Sequence, residues 1–287
     1  MEATLKSSRT FSVPRPFIIF AVLFALAELV KVTHRDATWA ALDGVLAIFF
    51  VIACAVTKRC TSQTAPDNIL DSKRRLSLQL ISCAVVFLAT MFDAPGWNVM
   101  RQGIFDAAAR YVSEPYANGI ANFTTYCVPL AAVLLLLGVR PAQMGLGKFV
   151  RGSMKSTITW LALPLGIFAW ALIAGKLTMP AIAAVWLSNL LQNGVSEEFL
   201  WRGAILGRLR TIMTPSAAIV LQALLFGVWH LHADAGAYHG DPVTTAAEMI
   251  ASQALFGVAA GYVTLRTGNI AIASAFHLLF DSLQVFQ

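Results

Sequence analysis

Residues 182–209 read IAAVWLSNLLQNGVSEEFLWRGAILGRL, and this stretch decides the fold. Residues 182–200 form a largely apolar run of membrane-spanning length, which needs roughly 17–25 residues. The second half of the stretch carries Glu197, Glu198 and Arg202. Ionisable groups inside a span are costly and are functional candidates by default. We read a span near 182–200 that continues as a helix to about Leu209.

Eight more apolar runs surround it, near 16–33, 38–57, 76–92, 120–139, 157–175, 215–232, 246–265 and 269–286. Pro66, Pro95 with Gly96, Pro115, Pro141, Pro180, Pro215, Pro242 and Gly268-Asn269 punctuate the breaks. The expected fold is therefore all-α: a polytopic bundle of about eight or nine transmembrane helices. The largest segment between spans, about 93–119, holds Trp97, Phe105, Tyr111 and Tyr116 among polar residues. It is read as an interfacial helix or a loop.

Composition agrees. The 287 residues are 57% hydrophobic and 13% charged, with a mean hydropathy of +0.68. A soluble domain carries about 25% charge. A soluble enzyme, a disordered chain and a solvated coiled coil are excluded. Four scattered cysteines form neither a disulfide framework nor a zinc ribbon. Cys54, Cys83 and Cys127 read as membrane-buried thiols.

The net charge of +6 is spread between apolar runs, which fits membrane topology and not a nucleic-acid partner. Every lysine and arginine except Arg202 is assigned to a tail or connecting segment. Alternate segments then hold fifteen on one side and five on the other. The positive-inside rule places the N-terminus in the cytoplasm, and nine spans place the C-terminus outside. The expected location is a cytoplasmic (inner) membrane. The N-terminus also has signal-peptide features, basic residues and an apolar run with Ala25-Leu26-Ala27. With eight further spans, the first is read as an uncleaved anchor.

The intramembrane polar residues carry the chemistry. Glu28 and Asp43 are isolated or near span ends, and read as packing hydrogen bonds. Glu248 lies near the start of its span and reads as solvated. Glu198 and Arg202 are four apart, so they share a helical face and can pair. Glu197, about 100° around the helix, is left without that partner and suits proton exchange. Asn189, Asn193 and Glu197 form an i, i+4, i+8 stripe, expected to face a wet cavity. In the 215–232 run Phe226 sits above His230, and in the last run His277 and Asp281 are again four apart, with Ser274 one turn before.

A carboxylate with a histidine can activate water for attack on a carbonyl, and a second histidine with a hydrogen-bonding neighbour can stabilise the oxyanion. That is peptide hydrolysis without a covalent nucleophile. The helical zinc signature HExxH and the GxSxG elbow are both absent. His230-Leu231-His232 with His239 is the residual zinc pattern.

At these residues the chain resembles the CAAX-protease and bacteriocin-processing (CPBP, or Abi) family. Glu197 to Arg202 is similar to its EExxxR motif, Phe226 to His230 to FxxxH, and His277 to Asp281 to HxxxN/D. Gly257 to Gly261, leading into Thr267-Gly268-Asn269, also fits. The resemblance covers about 140–287, so residues 141–287 are expected to form the catalytic membrane domain, and 1–140 to be membrane helices of unassigned role.

The resemblance implies a glutamic-type intramembrane endopeptidase, similar to the type II CAAX prenyl endopeptidases, around a water-accessible cavity. It implies no cofactor and no metal. Glu197 would activate water, His230 would assist, and His277 with Asp281 would form the oxyanion site. Glu198, Arg202 and Phe226 would support them. In prenyl endopeptidases the last motif residue is typically Asn. An ionised Asp281 cannot donate to an oxyanion, so it would be protonated or would orient His277. The substrate would be membrane-associated: a prenylated CAAX tail, a leader or a sorting signal. The competing classes are a scaffold or bacteriocin-immunity protein that keeps these residues as interhelical polar glue, a zinc-dependent membrane protease, and a transporter with a proton relay.

Overall fold

The computed structural model describes residues 13–34, 37–61, 72–237 and 241–286. These form an all-α membrane bundle of ten helices without strands. In chain order they are α1 (Arg15–His34), α2 (Ala37–Cys60), α3 (Lys73–Met91), α4 (Pro95–Ala108), α5 (Glu114–Leu136), α6 (Ser153–Ile173), α7 (179–209), α8 (Pro215–Ala237), α9 (Pro242–Thr267) and α10 (Ala271–Asp281). Lipid offers backbone groups no hydrogen bonds, so spanning segments must satisfy them internally, as helices do.

Six helices, α1, α2, α3, α5, α6 and α9, are long and apolar enough to cross a membrane, and α8 and α10 contain shorter apolar stretches. The segment 93–119 resolves into α4, a turn, and the first turns of α5. α1 and α2 turn Ile19, Val22, Leu29, Ile48 and Val51 outward, all more than half exposed, as lipid-facing surface would be.

Inside, aromatic rings and small residues set the packing. Phe49 and Phe50 of α2 pack on Trp160 of α6 and Phe276 of α10, with ring centroids 5.5–6.5 Å apart. The core is thus continuous across residue 140. Thr57 Oγ1 meets Ser156 Oγ at 2.6 Å and accepts from Trp160 Nε1 at 3.1 Å. Such hydroxyls join helices that share no hydrophobic drive in lipid. Gly257 lets α9 approach α8, since a Cβ there would stand 2.8 Å from Ala223 Cα.

Four stretches widen to π-helical turns: Phe123–Cys127 in α5, Leu190–Val195 and Phe199–Ile205 in α7, and Met249–Ala254 in α9. Such turns arise where the regular hydrogen-bond ladder is interrupted, and they are frequent at functional sites. Pro129, which has no N–H to donate, follows the first of them.

Two basic residues expected in connecting segments are buried in the bundle. Lys31 and Arg208 are not in connecting segments: they are 1% and 0% exposed. Lys31 of α1 bridges Asp43 of α2 and Glu248 of α9, so Asp43 is not isolated and Glu248 is not merely solvated. Arg208 donates to Gln79 Oε1 of α3 at 3.2 Å and to the Gln143 carbonyl at 3.1 Å. Each charge was read as a loop marker because a span's edge is blurred in sequence, whereas burial depends on helices far away in the chain. Arg266, also assigned to a loop, lies in α9 and donates to the carbonyls of Lys58 and Thr61 at the end of α2, a favourable place for a cation. Lys6 and Arg9 lie outside the described residues.

Candidate active site

Every candidate residue comes from α7, α8 or α10, with α9 adding one ring. In α7, Ser196–Glu198 is a single α-helical turn between two π-helical stretches. Glu197 is 7% exposed, and Glu198 and Arg202 are essentially fully buried.

Glu198 and Arg202 pair as their spacing predicts, with Nη1 donating to Oε1 at 2.8 Å. The guanidinium carbon lies 4.5 Å from the Phe226 ring centroid and 4.9 Å from that of Phe256. Both contacts are cation–π distances, so α8 and α9 clasp the arginine. The same Glu198 oxygen stands 2.8 Å from His277 Nδ1 on α10. A carboxylate oxygen accepts, so Nδ1 carries the hydrogen and Nε2 is turned away from Glu198.

His230 is fixed in the same manner. Its Nδ1 is 2.9 Å from the Phe226 carbonyl oxygen one turn earlier. That oxygen only accepts, so Nδ1 donates and Nε2 faces away. Phe226 packs edge-on against His230 at 4.5 Å between centroids.

Both Nε2 atoms turn toward Glu197. Its Oε2 lies 3.8 Å from His230 Nε2 and 4.0 Å from His277 Nε2. These distances exceed a direct hydrogen bond, and among the described residues this oxygen has no hydrogen-bond partner. Asp281 Oδ2 is 3.3 Å from His277 Nε2 and accepts from Asn193 Nδ2. One turn away, Asn189 Nδ2 donates to Ser282 Oγ at 3.1 Å. The stripe expected to face a wet cavity therefore meets α10, through Asn189 and Asn193.

The site gathers all of the named candidates, Glu197, Glu198, Arg202, Phe226, His230, His277 and Asp281. It adds two residues that sequence reading left without a role. Phe256 carries no motif signal. Asn193 was visible as part of a polar stripe, but its partner is 88 residues away.

Among the described residues, no group of three histidine, cysteine, aspartate or glutamate side chains is arranged to hold a metal ion. The His230-Leu231-His232 pattern with His239 cannot be followed further: the His232 side chain and His239 lie outside the described residues.

Neither a curated protein nor a solved structure matches the chain. Residues 178–283 match the family model described as type II CAAX prenyl endopeptidase Rce1-like. That segment spans Glu197 to Asp281 and so includes every candidate residue. Over residues 178–283 the chain is thus similar to the type II CAAX prenyl endopeptidases, a family of membrane peptidases.

Proposed function

We propose that this protein hydrolyses a peptide bond with water activated by Glu197, as a glutamic-type intramembrane endopeptidase. One observation carries the reading: the buried Glu197 Oε2 stands between two imidazole Nε2 atoms, each ring held by its other nitrogen. Contacts of 3.8 and 4.0 Å are longer than direct hydrogen bonds and within the span that a bridging water covers. Glu197 takes a proton from that water as its oxygen bonds to the carbonyl carbon. The carbonyl pair moves to oxygen, giving a tetrahedral oxyanion. On collapse the C–N bond breaks, and the proton on Glu197 passes to the leaving amine. The products are a carboxylate and an amine.

His230 Nε2 orients the water and shares its proton. His277, protonated on both nitrogens, keeps Nδ1–H on Glu198 and donates from Nε2 to the oxyanion. Glu198 is a positioning residue that holds His277, and Arg202 keeps Glu198 in place. Asp281 accepts and does not donate, so its part is to orient its neighbours. Residues 141–287 form the catalytic membrane domain in this reading, and residues 1–140 complete the bundle. The N-terminus is cytoplasmic, and the membrane is the cytoplasmic (inner) membrane. The family's substrate class points to a prenylated CAAX tail, which reaches the site from the lipid.

The test compares cells carrying the unaltered chain with cells carrying Glu197→Gln. Membrane peptides are quantified by mass spectrometry, together with cleavage of a farnesylated CAAX peptide in proteoliposomes. The expected result is a set of fragments released only by the unaltered protein. Identical fragments from both would end the glutamate mechanism. Release of fragments without cleavage of the CAAX peptide would redirect the substrate alone.

A further inference from the structure

The Asn193 carboxamide stands in the site with no task in the reaction described above. Its Nδ2 donates to Asp281 Oδ2, and that oxygen is also 3.3 Å from His277 Nε2. Two nitrogens from different helices thus converge on one oxygen beside Glu197. An ionised carboxylate has no hydrogen to give, whereas an amide nitrogen has two. Asp281 takes one of the Asn193 hydrogens, and this fixes the plane in which the other points.

The backbone around Asn193 holds it there. It lies in the π-helical turn Leu190–Val195, and the next residue is Gly194. A Cβ on Gly194 would come within 3.0 Å of Leu278 Cβ and 3.2 Å of the Ser274 carbonyl oxygen. A side chain at 194 would need Leu278 or the α10 backbone to give by a few tenths of an ångström at this contact of α7 with α10. The Asn189–Ser282 hydrogen bond ties the same two helices one turn away. Asn193 itself is only partly buried.

We infer that Asn193 is a further catalytic residue, whose amide donates to the scissile carbonyl oxygen as it becomes an oxyanion. His277 Nε2 is the second donor, and Asp281 is the anchor that orients the amide. The inference rests on the hydrolytic reading above. Asn193 loses no proton in the step. It stabilises the electron pair that moves onto oxygen when water adds, and it releases that oxygen when the C–N bond breaks.

The experiment uses the full-length protein in membranes, with Glu197→Gln, Asn193→Ala and Asn193→Ser beside the unaltered chain. Released peptides are identified by mass spectrometry. A synthetic peptide spanning the cut, and its phosphinate analogue bearing a tetrahedral anionic centre, serve as probes. Losing one oxyanion donor lowers kcat by about 100-fold or more. For Asn193→Ala we expect that loss, with KM almost unchanged, a comparable weakening of phosphinate binding and an unaltered unfolding midpoint. A serine hydroxyl at 193 should recover part of it. Asn193→Ala with near-normal kcat overturns the donor role, as does a loss of kcat that leaves phosphinate binding intact or tracks a fallen unfolding midpoint. If the unaltered chain and Glu197→Gln release the same peptides, the hydrolytic reading fails and takes this role with it. Loss in Glu197→Gln alone refutes only the role of Asn193.

Discussion

Glu198 and His277 meet across 79 residues of chain, the imidazole Nδ1 lying 2.8 Å from a carboxylate oxygen that also receives Arg202. One buried oxygen thereby links α7 to α10. The Phe226 and Phe256 rings around Arg202 bring in α8 and α9. Glu198 holds His277 by Nδ1 and so leaves Nε2 turned toward Glu197.

Glu198→Gln should therefore affect both stability and chemistry. It leaves a buried guanidinium without its counter-charge, a change that costs about 3–5 kcal/mol. The expected result is a lower unfolding midpoint in detergent and little cleavage. Adding Arg202→Met should restore much of the midpoint, because the unpaired charge is gone. Cleavage should stay low, because His277 still lacks its carboxylate.

Glu197→Gln should separate the two properties. Among the described residues, Glu197 Oε2 has no hydrogen-bond partner, so Glu197→Gln removes no hydrogen bond made by that oxygen. Peptide release should fall by about 100-fold or more, the scale of a lost general base. The unfolding midpoint should hold or rise. A fall in both together would make Glu197 a structural residue.

Gly194→Ala tests the contact that closes the site. The added methyl would press on Leu278 Cβ at 3.0 Å and the Ser274 carbonyl at 3.2 Å. Overpacking of this kind costs about 1–3 kcal/mol, and it would part Asn193 from Asp281. Gly166→Ala is the control, since a Cβ there meets nothing within 4 Å. The midpoint should drop for the first variant and not for the second.

Lys31→Met probes the second buried charge cluster, outside the site. It strands Asp43 and Glu248, both paired to Lys31. Breaking a buried pair from one side costs about 3–5 kcal/mol. Asp43→Asn and Glu248→Gln added together should recover stability. An unchanged midpoint for Lys31→Met alone would show that this cluster does not hold α1 to α2 and α9.

Much of the site was legible in the residues because its strongest rules are local. Apolar length marks helices, and an i, i+4 spacing pairs Glu198 with Arg202 and sets His277 beside Asp281. The π-helical turns were not legible, since they follow from interrupted backbone hydrogen bonds that no spacing rule records. Within the stripe Asn189, Asn193, Glu197, two members also bond to α10, contacts between helices that spacing within α7 does not record.

The sequence by itself determined that the chain is a bundle of membrane helices, and which few polar residues inside it have to be explained. A helix's period and the cost of charge in lipid are enough for that. Only the tertiary structure decided the partners. It turned Lys31 and Arg208 inward, set Phe256 on Arg202, gave His277 to Glu198, and put Asn193 against Asp281. Each of these depends on how separate helices pack. That packing is set by small residues and ring shapes on several helices at once, and not by spacing within any one of them.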